Sequence, residues 1–537
     1  MRRPALVAAL VALALPAIAS AGWQAGGGGG TSYSRAASIA AGNTPTANVS
    51  GSSITVSWAA SGGSVPIDGY VVKRYSSGGA EQTVGANCSG TIAGLTCIES
   101  SVAPGTWRYS VTPERQNWRG AESAQSAPVT VAAPSLSLSP ATVTCLPDTA
   151  TGQIQNFIAG ESVSFRLDDP DTGQLLSGSI TPSPVPADGT TDVSVTVPAG
   201  VADGSHTVYA IGNQGSVAGA PLTLNTSGIR VASGSYAGNG SDNRNITGVG
   251  FQPDVVIIKG DTSGILPGRV AVIRTSTMAA DRSKQLGEAH GTFPNAIQSF
   301  NADGFQIGGD ARVNAAGFLS PGPTYYWTAI KARAGHMAVG SYTGDGNTGH
   351  AITGLGFSPE YAIVTAGDIA VLNEEAPVQR MAAMTRTFPF DTGGGTGTPG
   401  TGTTAGITSF HSGGLTLGND RSVNGSGITY HYAAFNQCAG EMETSSYTGN
   451  GAASRQVTGV GFQPEYMIVR ANDTSTARIG VHRSAAVGGS DSLLFNNAAN
   501  IGNGITALQT DGFQVGSNAA TNANGVAYPY VAFHDKP

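Results

Sequence analysis

Ser235-Tyr-Ala-Gly-Asn-Gly240 recurs as Ser341-Tyr-Thr-Gly-Asp-Gly346 and again as Ser446-Tyr-Thr-Gly-Asn-Gly451. A second element follows each time: Ile246-Thr-Gly-Val-Gly-Phe-Gln-Pro-Asp254, Ile352-Thr-Gly-Leu-Gly-Phe-Ser-Pro-Glu360 and Val457-Thr-Gly-Val-Gly-Phe-Gln-Pro-Glu465. Each copy then runs into an apolar stretch, Val255 to Ile258, Tyr361 to Val364 and Tyr466 to Val469. Later come Asp303-Gly-Phe305, Gly413-Gly-Leu415 and Asp511-Gly-Phe513. Each copy closes on an aromatic segment: Tyr325-Tyr-Trp-Thr-Ala-Ile330, Tyr430-His-Tyr-Ala-Ala-Phe435 and Tyr528-Pro-Tyr-Val-Ala-Phe533. The leading tyrosines 236, 342 and 447 stand 106 and 105 residues apart. Solenoid repeats run to about 20–50 residues, so each copy is expected to be a small β-domain of its own, a sandwich or jelly-roll-like unit. Asn-Gly and Asp-Gly at its start favour tight hairpins, because both residues tolerate positive φ.

The composition agrees with a turn-rich, strand-rich chain. Of 537 residues, 77 are Gly and 28 Pro, and only 11% are charged, while 40% remain hydrophobic. Average soluble proteins carry about 25% charge and about 7% Gly. Long amphipathic helices need charged faces and little Gly, and are not expected. The net charge of −7 is spread thinly, with no basic run, which disfavours a nucleic-acid partner.

Residues 1–21, MRRPALVAALVALALPAIASA, read as a signal peptide: Arg2 and Arg3, a short apolar run, then Ala19-Ser20-Ala21 with cleavage after Ala21. The run is shorter than the ~20 residues of a membrane span. Residues 22–44 form a Gly-rich leader. A secreted, extracellular protein is therefore expected, with no membrane span after signal removal and possible retention at the cell surface. Four cysteines suit an oxidising compartment. Cys88 and Cys97 flank a short Gly-containing segment and are expected to pair, whereas Cys145 and Cys438 are left either bonded across domains or free.

Between leader and repeats, alternating segments mark two further modules. Ile54-Thr-Val-Ser-Trp58, Gly69-Tyr-Val-Val-Lys-Arg-Tyr75 and Gly105-Thr-Trp-Arg-Tyr-Ser-Val-Thr112 read as strands. Their order over residues 45–132 resembles the fibronectin type III module, with Trp58 and Tyr109 at the positions of its core Trp and late-strand Tyr. Cys88 and Cys97 depart from the usual pattern of that module. Ser162-Val-Ser-Phe-Arg-Leu167, Thr191-Asp-Val-Ser-Val-Thr-Val197 and Gly204-Ser-His-Thr-Val-Tyr-Ala-Ile-Gly212 belong to residues 133–232, and the D-G-S-H-T-V-Y-A segment resembles bacterial immunoglobulin-like modules. The three copies, at 233–334, 335–440 and 441–537, resemble an uncharacterised β-domain of phage tail, virion-associated and bacterial surface proteins. These resemblances imply an all-β chain of tandem β-sandwiches and say nothing of an activity.

Functional residues repeated with the fold should recur at matching places. Arg274, Arg386 and Arg483 recur as Arg-Thr or Arg-Ser, and a guanidinium fork suits carboxylates or sugar hydroxyls. Trp327, Tyr432 and Tyr530 match on the closing strand and could stack on sugar faces. These six are the candidate ligand-binding residues, although an Arg covering apolar surface and a strand aromatic in the core are the commoner roles. Asp303 and Asp511 could offer oxygens to calcium, but the second copy has Gly413 there and an Asp-Gly turn accounts for them. Asp168, Asp169 and Asp171 read as a solvated turn, and His206 as structural. The eight histidines follow no ligand spacing and cysteine is sparse, so no metal site is assigned. Gly395, Gly397 and Gly400 satisfy G-x-G-x-x-G within a Thr-Gly loop that lacks the strand and helix a nucleotide needs. Glu374 and Glu375 are adjacent, so in a strand they would face opposite ways, unlike a glycosidase acid pair.

No catalytic constellation and no cofactor is expected. The leading expectation is a secreted bacterial surface-interaction protein, non-catalytic, that binds polysaccharide, cell-envelope glycan or other surface proteins through the three C-terminal copies. A self-associating fibre or matrix component, and a secreted glycan hydrolase with accessory modules, are the alternatives.

Overall fold

The computed structural model describes residues 37–262, 269–317, 322–367, 375–392 and 400–536. The signal peptide with its cleavage after Ala21, the leader up to residue 36, Glu374 and the glycines 395 and 397 lie outside the described residues. The chain divides into two compact units, one running to Thr130 apart from Ser50–Ser52, the other from Val131 onward. The protein is all-β, a series of sandwiches whose described helices are single turns. Among the described residues no helix is long and apolar enough to cross a membrane.

In the first unit the strands Thr46–Ser50, Ser53–Ser57 and Thr96–Glu99 form one sheet. Gly69–Ser76 and Gly105–Arg115 form the centre of the other. Period-two alternation sends Ile54, Val56 and Trp58 inward, and Trp58 meets Tyr70 edge-on at 5.4 Å. Tyr109 is fully buried, and its hydroxyl donates to Glu99 Oε2 at 2.7 Å. Arg74 holds the other carboxylate oxygen at 2.7 Å, so the carboxylate enters the core with both oxygens satisfied. Cys88 and Cys97 are bonded, as expected, with Cα atoms 5.4 Å apart.

The second unit begins with an eight-stranded β-module built from Ser135–Ser139 through Val217–Leu224 and closed over Phe157, Phe165 and the valines of Thr191–Val197. Asp169 Oδ1 accepts from the backbone of Asp171 and Thr172, the solvated turn expected there. His206 is held by Asp168 at 2.8 Å and by the Ala202 carbonyl, a structural role.

Each of the three copies has the same two sheets. In the first, a five-stranded sheet runs Arg230–Ala237, Thr324–Lys331, Val255–Gly260, Val272–Thr275, Lys284–Gln285, and a three-stranded sheet runs Arg244–Thr247, Gly304–Ile307, Ile297–Asn301. The sequence motifs are the hardware of this unit. Tyr236, Tyr342 and Tyr447 stack on Tyr325, Tyr430 and Tyr528 with ring centroids 5.3–5.5 Å apart. Their hydroxyls donate to the carbonyls of Val313, Val423 and Thr521 in the single-turn helices. Each helix ends in a wholly buried Asn (Asn314, Asn424, Asn522). Its Oδ1 accepts the backbone N–H of Asn239, Asp345 or Asn450, the residue before the motif's last Gly. The Thr-Gly-x-Gly loop bends through positive φ at Gly248 and Gly250, and the Asp303 carboxylate accepts from both of their N–H groups at 3.0 and 2.6 Å. Asp511 does the same for Gly459 and Gly461.

The copies do not fold around separate cores alone. The apolar runs have no polar alternation because each strand buries two faces. Val256 and Ile258 enter the first copy's own sandwich, whereas Val255 and Ile257 enter a core shared by all three copies. The same split holds for Ala362 and Val364 against Tyr361 and Ile363, and for Met467 and Val469 against Tyr466 and Ile468. At the shared centre Phe435 and Phe533 lie 5.1 Å apart, with Tyr361 against both and Tyr466 against Phe533. The expectation of three self-contained domains is thereby modified: three sandwiches are fused by their inner sheets.

The fusion is sealed at the ends of the copies. Gly228 N–H donates to the Lys536 carbonyl, and Lys536 N–H to that of Ile229, joining the last residues to the first copy. Asp535 accepts from Arg230 Nε and Val231 N, both at 2.8 Å. Glu441, fully buried at the start of the third copy, accepts from Ile229 N of the first and holds His336 of the second at 2.6 Å.

Two outcomes are expected. Phe533→Ala should cost about 3–5 kcal/mol in denaturant unfolding, the range for a buried aromatic that leaves a cavity. Calorimetry should also show the three copies unfolding in one transition; three resolved transitions would contradict the shared core.

Candidate ligand-binding site

In register, Arg274 pairs with Val256 and Arg483 with Met467, each on the strand behind the apolar run. The residue at that place in the second copy is Arg380, opposite Ala362, and not Arg386. The Arg-Thr pair misled: Arg386 stands six residues further on, half-buried, with its guanidinium on the Gly402 carbonyl at 3.2 Å.

The three equivalent arginines are clamps. Arg274 donates to the carbonyls of Met278, Ala280 and Arg282, and Arg483 to those of Val487, Gly489 and Asp491. Arg380 donates to Ile407 and Thr408. Arg274 and Arg483 tie the loop after their strand to the outer sheet, reaching also Ile297 and Ile505, whereas Arg380 holds the outer strand alone. Burial pulls all three guanidiniums below their ordinary range. The aromatics Trp327, Tyr432 and Tyr530 do match, opposite Ile258, Val364 and Val469. All three point into their own sandwich, with Trp327 and Tyr530 buried edge-on against Phe305 and Phe513. Gly234 and Gly340 sit across from Trp327 and Tyr432, where a Cβ would fall 2.4 Å from either ring. The absent side chain makes room for the aromatic, and neither Trp327 nor Tyr530 presents a face to solvent.

A different set of side chains lines an open hollow of about 340 Å³ on the first copy. It lies between the Phe-Gln-Pro-Asp loop and the bulged strand Ile297–Asn301, and Gln252, Asp254, Arg274, Gln298 and Phe300 surround it. Gln252 is exposed and donates to the Phe300 carbonyl at 3.1 Å. Gln298 donates through Nε2 to Asp242 at 2.8 Å, which fixes its amide, and its Oε1 is buried with no hydrogen-bond partner. An unpaired buried carbonyl of this kind costs about 1–3 kcal/mol. Phe300 is half-buried, with the Arg274 guanidinium 5.7 Å from its ring centre. Asp254 accepts from Ala332 N at 2.9 Å and faces Lys331 at 3.8 Å.

This set is peculiar to the first copy. Gln252, Gln298 and Phe300 become Ser358, Thr408 and Phe410 in the second, and Gln463, Thr506 and Leu508 in the third. Thr408 and Thr506 spend their hydroxyl protons on the carbonyls of Thr416 and Gln514, and their side chains stop short of the amide that Gln298 carries. A search for residues repeated in every copy passes over such a site. The usable signal was the opposite one, a polar and aromatic set present in a single copy.

Other titratable groups are buried without reaching a cavity. Lys259 donates to the Arg269 and Gly260 carbonyls, and burial together with the neighbouring Arg269 draws its pKa down to about 7. Arg470 is buried against the carbonyls of Pro389, Asp391 and Gly400. His482 stacks on Phe495 at 4.2 Å, and burial, then the Lys259 charge, lowers its pKa to about 3.

Residues 230–320 and 439–537 match a domain of unknown function (DUF7483). No curated protein matches the chain. Among solved structures it is similar to Dpr2 Ig1-Ig2, from its complex with DIP-Theta Ig1-Ig3, at 13% identity and a TM-score of 0.15 over 36% of this chain and 63% of that one. A chimeric titin Z1Z2-Z1Z2 tandem aligns at 19% identity and TM-score 0.14, covering 36% and 96%. The chicken CNTN1 FN1-FN3 domains align at 9% and 0.18, covering 55% and 99%.

The buried imidazole makes stability depend on pH. With His482 at about 3 when folded and about 6.5 when unfolded, the unfolded chain binds the extra proton between those values. Stability should therefore fall as pH drops from about 6.5 towards 3, and His482→Phe should flatten that fall in urea titrations at pH 7 and pH 4.

Proposed function

We propose that this is an exported, non-catalytic surface-interaction protein that binds glycan, with the hollow on the first copy as its contact site. The observation that carries the reading is the Gln298 carbonyl, buried without a partner beside a half-exposed Phe300 and the Asp254 and Arg274 side chains. A sugar offers hydroxyl donors for such an acceptor and an apolar ring face for such an aromatic. The amide is held from behind by Asp242, so its oxygen is oriented before a ligand arrives. A non-catalytic role is supported by the use made of the charged groups: the arginine clamps, Lys259 and Arg470 are taken up by backbone carbonyls. Glu375, buried in the second copy, faces Arg421 at 3.0 Å.

Export is supported by the leader sequence together with the two disulfides, Cys88–Cys97 and Cys145–Cys438. The fused copies supply a rigid scaffold, which suits a site whose residues sit on a loop and a bulged edge strand.

A glycan array probed with the mature chain should give saturable binding. Gln298→Ala and Phe300→Ala should each weaken it by about tenfold or more while leaving the unfolding midpoint within a few degrees, as befits a lost contact of more than about 1.4 kcal/mol. Saturable binding to no glycan, or binding untouched by both substitutions, would remove the proposal.

A further inference from the structure

The second disulfide has an unusual neighbour. Cys145 lies in the immunoglobulin-like module, between its strands Thr142–Val143 and Asp148–Gln155, and Cys438 in the link between the second and third copies. Their Cα atoms are 5.2 Å apart. Both sulfurs and one ring nitrogen of His336 lie within 4.8 Å of one another. The His336 side chain is fully buried, with Nδ1 held by Glu441 at 2.6 Å and Nε2 without a hydrogen-bond partner. A carboxylate behind one nitrogen of a histidine is the arrangement that orients the ring and its tautomer for metal ligation by the other nitrogen. The disulfide is approachable from one side: Cys145, Thr144, Asn225, Gly335 and Asn436 line a hollow of about 590 Å³, while Cys438 is buried behind it.

We propose that Cys145, Cys438 and His336 form a redox-gated metal site, which takes a thiophilic d10 cation such as Zn²⁺ or Cu⁺ once the disulfide is reduced. A dithiol reductant delivers two electrons to the S–S bond and two protons to the sulfurs, and is itself oxidised to a disulfide. The cation then displaces both thiol protons, bonding the two thiolates and His336 Nε2. Donors on a tetrahedral Zn²⁺ with bonds of about 2.3 Å to sulfur and 2.0–2.1 Å to nitrogen stand about 3.5–4 Å apart, so the two sulfurs, bonded in the oxidised chain, part on reduction to hold the ion beside His336. The fourth position is left for water from the hollow. In either redox state the immunoglobulin-like module stays fastened to the fused copies, by S–S in one and by the metal in the other. Sequence spacing gives no hint of this, because the three ligands come from three distant segments that only the closed fold brings together.

The test uses the mature full chain, reduced with a dithiol, freed of it without air, and offered Zn²⁺ or Co²⁺. One metal per chain is expected, with a thiolate-to-cobalt charge-transfer band. The oxidised chain and Cys145→Ser should show neither, and Cys145→Ser still carries Cys88 and Cys97 as a control for that pair. His336→Ala and Glu441→Gln should weaken Zn²⁺ binding by about 10–100-fold, the range for loss of an orienting partner or more. A reduced wild-type chain that takes up no metal, or no more than Cys145→Ser, overturns the proposal. Should the His336 or Glu441 variants fail to fold, the wild-type cobalt spectrum decides alone: a missing thiolate band refutes the site.

Discussion

The contact among Tyr361, Phe435, Tyr466 and Phe533 is what the C-terminal architecture depends on. These rings come from the inner sheets of the second and third copies, and with Val255, Ile257 and Ile330 of the first they form a core that no copy could close by itself. A sheet with two apolar faces must be covered twice. The outer face of each five-stranded sheet is covered by its own three-stranded sheet, and the inner face only by the other two copies. The end seals follow from this, since three wedges around one centre must be held at their joints. Arg230, His336 and Glu441 stand at the same place in the sequence, six residues before Tyr236, Tyr342 and Tyr447, and they hold three different chemistries. Arg230 takes Asp535, while Glu441 takes both His336 and Ile229 N. A repeated position has been diversified so that the copies can grip one another.

Much of the motif content is explained by backbone polar groups that the sandwiches bury. The helix-ending asparagines, the stacked tyrosines, the arginine clamps and the Asp303 and Asp511 carboxylates all terminate on main-chain N–H or C=O groups. Without those partners, turns at the rim of a buried sheet would leave unpaired donors and acceptors, each costing about 1–3 kcal/mol. Recurrence in this chain therefore reports on the needs of the fold. Arg274 and Arg483 recur because the loops of the first and third copies need the same clamp. In the second copy the equivalent Arg380 holds only the outer strand, at Ile407 and Thr408, and its following Met381 hides it from a comparison of dipeptides.

The hollow on the first copy is legible only in the negative. Gln298 sits where the other copies have a threonine bonded to the neighbouring strand, and nothing in local spacing marks it as a partner of Phe300 and Gln252. The loop and the bulged strand that bring them together are about fifty residues apart in the chain, and side-chain orientation at the bulge decides which groups face outward. The buried Lys259, Arg470 and His482 were equally hidden, because their partners are carbonyls and rings from other segments.

What the sequence determined by itself was the class of structure and its periodicity. Alternating strands, Gly-rich turns and a threefold motif of about one hundred residues dictate an all-β chain of sandwiches, since these signals act over a few residues and depend on backbone geometry alone. The pairing of Cys88 with Cys97 was readable for the same reason, the two lying close along the chain. What only the tertiary structure decided was which apolar face met which partner: the unalternating runs announce burial on both sides but cannot say that one side belongs to a neighbour. The joining of Cys145 to Cys438 beside His336, and the division of labour between clamps and open site, rest likewise on contacts between distant segments. Such contacts are set by the closing of one core around three copies, a constraint that no local stretch of chain contains.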